Sequence, residues 1–285
     1  MSGSTEQRVI LITGASSGIG LAAAQTMAQR GWRVFATARK PEDLAMLGAI
    51  EGVTAVYLDY AEPASIAACA DKVLAATGGR IDALFNNGAY GQPGAVEDLR
   101  PDVLRAQFEV NVFGWHDLTC RLIPAMRARR FGRIVQCSSI LGFIALKYRG
   151  AYIASKHAVE GLTDTLRLEV KGAGIDVSSI RPGPIATRFV ETSMRMFHAN
   201  IDIDGSRHAK TYRDRLARMG RGGAARFKLG PEAVVAKLIH AVESDRPKPY
   251  YAVTTPTVVM GLLKRLLPSG LFVSVCRKVS NKEEG

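Results

Sequence analysis

Two residues four apart carry the pattern for proton chemistry: Tyr152 and Lys156, in Tyr152-Ile153-Ala154-Ser155-Lys156. On a helix of 3.6 residues per turn they differ by about 40° in azimuth and about 6 Å in rise, so both side chains face one cleft. A phenol with a reference pKa of about 10 is a poor base at neutral pH, and a nearby ammonium stabilises the phenolate and lowers that value. The spacing therefore predicts that Lys156 makes the Tyr152 phenol acidic. Tyr148 lies four residues earlier and would share the face, yet only Tyr152 has a lysine one turn further on. Ser139, in the strand-ending run Cys137-Ser138-Ser139, is expected to meet the pair at the carboxyl edge of a sheet.

A tyrosine and lysine at this spacing are common on surface helices, so the argument rests on their joint occurrence with Ser139 and a glycine turn. The β-branched run Val9-Ile10-Leu11-Ile12-Thr13 leads into Gly14-Ala15-Ser16-Ser17-Gly18-Ile19-Gly20 and then a helix. A dinucleotide pyrophosphate needs a tight turn, close backbone approach and amides at a helix N-terminus, which glycines permit. Gly14, Gly18 and Gly20 fit those roles, with Ser16, Ser17 and Ile19 in the same turn. Cofactor choice depends on the end of the second strand, where a carboxylate would bind the ribose hydroxyls of NAD. Phe35-Ala36-Thr37-Ala38-Arg39-Lys40 has none; Arg39, with Lys40 as a second cation, suits a 2′-phosphate, which predicts NADP(H) in preference to NAD(H).

The elements that must position these residues follow from periodicity. Strands are predicted at 9–13, 33–37, 53–59, 81–86, 133–138, 175–181 and 250–254, and helices at 21–29, 63–77, 101–129, 151–171 and 231–243. Seven strands alternating with helices imply an α/β, Rossmann-type, doubly wound parallel sheet with helices on both faces and ligands at the carboxyl ends of its strands. The chain, 1–285, reads as a single domain. The rhythm breaks at 188–230, where helical patches at 189–197 and 212–219 without a strand suggest a substrate lid. Phe189, Val190, Met194, Met196 and Phe197 would make that lid apolar, or serve as ordinary helix core.

Hydrophobic residues at 47% and charged residues at 22% are ordinary for a globular protein. Cys69, Cys120, Cys137 and Cys276 are scattered, which argues against a zinc site or a disulfide framework. A polar N-terminus without a secretory signal points to the cytoplasm. The net charge of +12 is concentrated in residues 188–285, with 18 Lys or Arg against 9 Asp or Glu. This surplus reads as solvated helix faces, with no nucleic-acid-binding motif beside it. In the helical tail, 256–285, the stretch 258–267 mixes apolar residues with Lys264 and Arg265, as an interfacial helix would. Packing on its own domain or on a partner subunit is the expectation, ahead of peripheral membrane contact.

Thr13 to Gly20, Asn86-Asn87-Gly88-Ala89, Asn111, Ser139, Tyr152 with Lys156, and Pro182-Gly183 together resemble the ordered motif set of short-chain dehydrogenases/reductases. The resemblance implies that Tyr152 is the general acid/base, that Ser139 holds the substrate oxygen, and that Lys156 also contacts the nicotinamide ribose. It implies that Asn111 anchors a proton-relay water, that Asn86 helps shape the adenosine pocket and that Gly88 belongs to the cofactor site. Asp59 would approach the adenine, and Pro182, Gly183 and Thr187 would border the nicotinamide. Hydride then passes between the nicotinamide and a carbonyl or secondary alcohol, a reaction that needs no metal.

Two departures are the order Asn86-Asn87-Gly88-Ala89 in place of Asn-Asn-Ala-Gly, and Tyr60 where a small aliphatic is usual. The asparagine-glycine stretch, lid and tail are similar to the hydroxysteroid and retinol dehydrogenase-like subgroup, which implies a lipophilic small-molecule substrate. Family members are commonly homodimers or homotetramers through the helices carrying Tyr152 and Asn111. The alternative is a regulatory protein that binds a dinucleotide and performs no chemistry; intact Ser139, Tyr152 and Lys156 argue against it.

Overall fold

A computed structural model describes residues 7–220 and 228–282 of the chain. The central strand β1 (Val9–Ile12) is buried along its whole length, as a strand covered on both faces must be. Around it lie β2 (Arg33–Ala38), β3 (Val53–Tyr57), β4 (Ala83–Asn86), β5 (Gly132–Cys137), β6 (Ile175–Arg181) and β7 (Tyr250–Ala252). Their order is β3-β2-β1-β4-β5-β6-β7, and every pairing is parallel. The winding reverses between β1 and β4, which opens a crevice at their carboxyl ends.

Helices α1 (Gly18–Gln29), α2 (Pro41–Gly48) and α9 (Glu232–Glu243) belong to one layer, where α1 meets α9. Helices α3 (Pro63–Ala76), α4 (Pro101–Phe108), α5 (Gly114–Arg129) and α6 (Gly150–Val170) belong to the other. The expected helix over 101–129 is interrupted by a π-helical turn, Glu109–Phe113, between α4 and α5. Helix α2 was not expected, although Pro41 at its first turn with Glu42 and Asp43 behind it is an N-terminal signal.

Tyr148 does not share a helix face with Tyr152. Helix α6 begins at Gly150, and Tyr148 precedes it with a φ of 60°. Its ring packs edge-on against His208 and Tyr212. The latter belongs to α8 (Ala209–Gly220), which with α7 (Phe189–Asn200) forms the interval expected as a lid; positions 221–227 of that interval lie outside the described residues. The chain ends in α10 (Thr255–Leu266) and α11 (Ser269–Lys282), in the region expected to be a helical tail, whose positions 283–285 also lie outside the described residues. Among the described residues no helix is long and apolar enough to cross a membrane.

The start of β4 is fixed to β1 by a buried charge. The Asp82 carboxylate accepts the Val9 N–H and the Arg80 Nε–H, both at 2.8 Å. Side-chain exposure of the ion pair is 10% for Arg80 and 3% for Asp82, so its loss is not compensated by water. Asp82→Ala is therefore expected to lower unfolding stability by about 3–5 kcal/mol. Urea denaturation would measure it, and an unchanged midpoint would contradict this reading of the β1–β4 junction.

Candidate active site

The crevice between β1 and β4 is lined by the glycine turn. Gly14 and Gly18 have φ values of 63° and 56°, in the left-handed region that favours glycine. A Cβ on Gly14 would stand 2.4 Å from the Cα of Gly88, so the two glycines let the turn and the end of β4 touch. Gly20 opens the helix against the Gly14 carbonyl, where a Cβ would come within 2.2 Å. Ser16, Ser17 and Ile19 are half-buried along the same turn. Ser17 is the residue before α1 and its side chain makes no capping hydrogen bond, so the first-turn amides remain available to an anion.

Thr13 and Asn87, which spacing alone did not single out, tie this crevice together. The Thr13 hydroxyl accepts the N–H groups of Asn87 and Gly88 at 2.9 and 3.2 Å, and the Asn87 amide donates to the Thr13 and Gly14 carbonyls. Asn86 turns the other way. Fully buried, its side chain accepts from the Tyr60 hydroxyl at 2.7 Å and donates to Thr119, so it braces the crevice from behind and does not line it. The two departures from the family pattern belong together here, since the Tyr60 ring lies against Gly88 and Gly114, and a Cβ on Gly114 would approach it to 2.7 Å.

At the end of β2, Arg39 has a side chain 67% exposed. Asp59, beyond β3, holds it at 3.4 Å, so a carboxylate does stand near this strand end, contributed by the neighbouring strand's loop. Such a pair is weak, because exposed charges in water gain at most about 1 kcal/mol. Lys40 pairs with Glu42 at 3.6 Å, a surface contact within the first turn of α2.

Ser139 follows β5 and Tyr152 stands on the first turn of α6, close enough for the serine hydroxyl to act on the phenol. The Ser139 Oγ also accepts the Leu141 N–H at 3.1 Å, which leaves its own proton for an oxygen in the cleft. Lys156 is 1% exposed. Its Nζ donates to the Cys137 carbonyl at 2.8 Å, lies 4.1 Å above the Trp115 ring and stands 5.7 Å from the centroid of the Tyr152 ring. Trp115 in turn donates its indole N–H to the Gly88 carbonyl at 2.7 Å, linking lysine and glycine turn.

The electrostatics correct one expectation. Burial pushes the Tyr152 phenol well above its ordinary range; the buried Cys137 thiol adds to this, and the Ser139 hydrogen bond opposes it. Lys156 is lowered to about 8, chiefly by the same desolvation, against the favourable fields of Cys137 and Glu160. Proximity to the ammonium therefore does not by itself make the phenol acidic: the protein keeps Tyr152 protonated at neutral pH.

Asn111 lies in the π-helical turn and is fully buried. It accepts the Tyr90 N–H, and its amide donates to the Tyr90 carbonyl at 2.9 Å and to the Ser155 hydroxyl at 3.2 Å. Ser155 donates to the Tyr152 carbonyl at 2.8 Å, so Asn111 reaches the tyrosine through the helix backbone. After β6, the Pro182 carbonyl accepts from Ile140, Gly183 lies against Thr254, and the Thr187 methyl group abuts Gly18. Phe189, at the start of α7, places its ring 5.3 Å from that of Tyr152. The other apolar residues of α7 divide: Phe197 is buried with Met194 beside it, Met196 is half-buried and Val190 is exposed.

Residues 8–196 match the family model for short chain dehydrogenases. The uncharacterized oxidoreductase YbbO of Escherichia coli strain K12 is 42% identical over 268 residues, which cover 94% of this chain and 93% of that protein. Among solved structures, a short chain dehydrogenase/reductase from Burkholderia phymatum in complex with NAD is 26% identical, with a TM-score of 0.76 over 90% of this chain and 92% of that one. An actinorhodin polyketide ketoreductase variant with NADPH is 28% identical, with a TM-score of 0.70 over 87% of this chain and 95% of that one. With its crevice, glycine turn and matched motifs, the chain belongs to the short-chain dehydrogenase family and is an oxidoreductase of that type.

Proposed function

We propose that the protein is an NADP(H)-dependent enzyme that reduces a lipophilic ketone or aldehyde, or oxidises the corresponding alcohol. The observation that carries this is the convergence of Ser139, Tyr152 and Lys156 beside the glycine turn. The residues present fit a nicotinamide dinucleotide. Uncapped amides at the start of α1 suit its pyrophosphate, and Gly14, Ser16, Ser17, Gly18, Ile19, Gly20 and Gly88 give the backbone close approach. Arg39, weakly held by Asp59, is available to a 2′-phosphate, with Lys40 beside it. Pro182, Gly183 and Thr187, which follow β6, would border the nicotinamide end.

When bound, the reduced cofactor supplies hydride to the carbonyl carbon. Tyr152, held protonated by burial, donates its Oη proton to the carbonyl oxygen as negative charge develops there. The Ser139 hydroxyl, already accepting from Leu141, turns its proton to that same oxygen and fixes its position. Lys156 offsets the phenolate left behind. Its Cys137 and Trp115 contacts hold the ammonium where a ribose hydroxyl could also bond to it. The side-chain donors of Asn111 are already engaged, so a relay water would be held by a carbonyl of the π-helical turn.

A lipophilic substrate is supported by the surroundings of Tyr152, where Phe189, Leu141, Ile144 and Met260 are apolar neighbours. Helices α7 and α8 would act as the lid, with Phe189 closing over the phenol. Exposed Phe113, Leu162 and Leu168, on and beside α5 and α6, support a homo-oligomer formed through those helices.

Tyr152→Phe is expected to keep NADPH affinity and to lose about 10²- to 10⁴-fold in turnover, as steady-state kinetics and cofactor titration would show. Near-normal turnover would refute the role given to Tyr152. Ketone reduction should be level below pH 8 and decline above it, because Lys156, lowered to about 8, then loses the charge that stabilises the phenolate. A profile of kcat/KM still rising through pH 9 would oppose this. Arg39→Ala should weaken NADPH binding about ten- to a hundredfold while leaving NADH unchanged, since a charge-assisted bond is worth roughly 1.5–3 kcal/mol. Equal losses for both cofactors would argue against 2′-phosphate recognition.

A further inference from the structure

The tail helices have two different faces. Inward, Met260 of α10 and Phe272 and Cys276 of α11 are buried with Leu141 and Ile144, and Tyr152 and Ile153 pack against the same cluster. Lys264 fastens α10 to the domain by donating to the Phe143 carbonyl at 2.7 Å, and the Ser280 hydroxyl accepts the Lys147 N–H at 3.1 Å from α11. This is the expected packing of the tail on its own domain. It leaves other apolar residues of the tail exposed.

Outward, Val258, Val259, Leu262 and Leu266 stand 56%, 47%, 56% and 69% exposed. Their spacing places all four within a sector of about 100° on α10. Arg265 flanks the same sector, and α11 adds exposed Leu271 and Val273 with Arg277 and Lys278. From Thr255 to Lys282 the sequence contains five Lys or Arg and no Asp or Glu, with Glu283 and Glu284 following.

We propose that this outer face of α10 and α11 docks on an anionic lipid surface. An aliphatic stripe bordered by cations and free of acids is complementary to a bilayer interface bearing negative headgroups, where apolar side chains enter the acyl boundary and cations meet phosphate. A second copy of the chain is the poorer occupant. Two such faces brought together would oppose Arg265, Arg277 and Lys278 to their own counterparts, with no carboxylate on α10 or α11 to offset them. The cleft lies just behind the docking helices, because α10 contacts the cluster that Tyr152 joins. Docking would therefore hold the helices that wall the cleft against the phase in which an apolar ligand is concentrated. The surface stands independently of the proposed reaction, since it is argued from the tail alone.

The test is co-flotation of the full chain with phosphatidylcholine vesicles, with and without phosphatidylserine, at low and high salt. Leu262→Asp/Leu266→Asp and Arg265→Glu/Lys278→Glu are compared with the unaltered protein; circular dichroism and NADPH-dependent reduction of a water-soluble ketone check folding. Sedimentation analysis reports the oligomeric state. Binding is expected only to vesicles with phosphatidylserine and should weaken with salt. It should fall about tenfold or more in each folded variant, given roughly fivefold in partitioning per basic residue at such a surface. Failure of the unaltered protein to float with anionic vesicles would overturn the proposal, as would undiminished flotation of the folded leucine variant. So would a leucine variant that loses self-association with no change in vesicle binding, because a second copy would then be the occupant.

Discussion

The site depends on one buried ammonium. Lys156 reaches from α6 into the protein, gives a hydrogen bond to the last carbonyl of β5 and rests on the face of Trp115, out of contact with water. A charge in that position is costly unless its partners are fixed, so the lysine dictates how α6 lies against the sheet. With α6 set, Tyr152 on its first turn has one place to go, beside Ser139 at the end of β5. Trp115 passes the constraint on to the Gly88 carbonyl and so to the glycine turn. Proton chemistry and dinucleotide crevice are thereby held in a single frame.

Desolvation works on both members of the pair in opposite senses. It raises the phenol and lowers the ammonium, so Tyr152 stays protonated while Lys156 keeps its charge only below about pH 8. A protonated phenol is what a carbonyl oxygen needs as hydride arrives, and an ammonium that titrates near neutrality has its charge available without holding the tyrosine permanently ionised. The apolar wall that produces these shifts is supplied partly by the 3₁₀ turn Ile140–Gly142 and the tail. The tail, remote in sequence, thus helps to set the chemistry of residues some hundred positions earlier.

Where local periodicity carries the information, the chain could be read directly. The buried run of β1, the glycine turn, and the four-residue spacing of Tyr152 and Lys156 are all local, and the seven-stranded sheet follows from them. What could not be read is what neighbours in space decide. Tyr148 has the right spacing to share the face of Tyr152, but α6 begins after it and its backbone turns left-handed. Asn86 stands in a recognisable motif, yet the Tyr60 hydroxyl from another loop draws it inward. Trp115 sits four residues after Asn111 and Ser155 three after Tyr152, so a helical wheel would have placed them near the site. The π-helical turn that brings Asn111 to Ser155 has no comparable signature. The effect of Lys156 on Tyr152 was the subtler error: spacing established proximity, while burial determined the direction of the shift.

The most direct test of this account is a crystal structure of the protein with NADPH and an unreactive carbonyl analogue of a lipophilic substrate. The account predicts the carbonyl oxygen within hydrogen-bond reach, about 2.6–3.2 Å, of both the Ser139 and the Tyr152 hydroxyls, with Lys156 still seated between the Cys137 carbonyl and the cofactor ribose. An analogue oxygen bonded elsewhere, or a Tyr152 hydroxyl turned away from the nicotinamide, would contradict it.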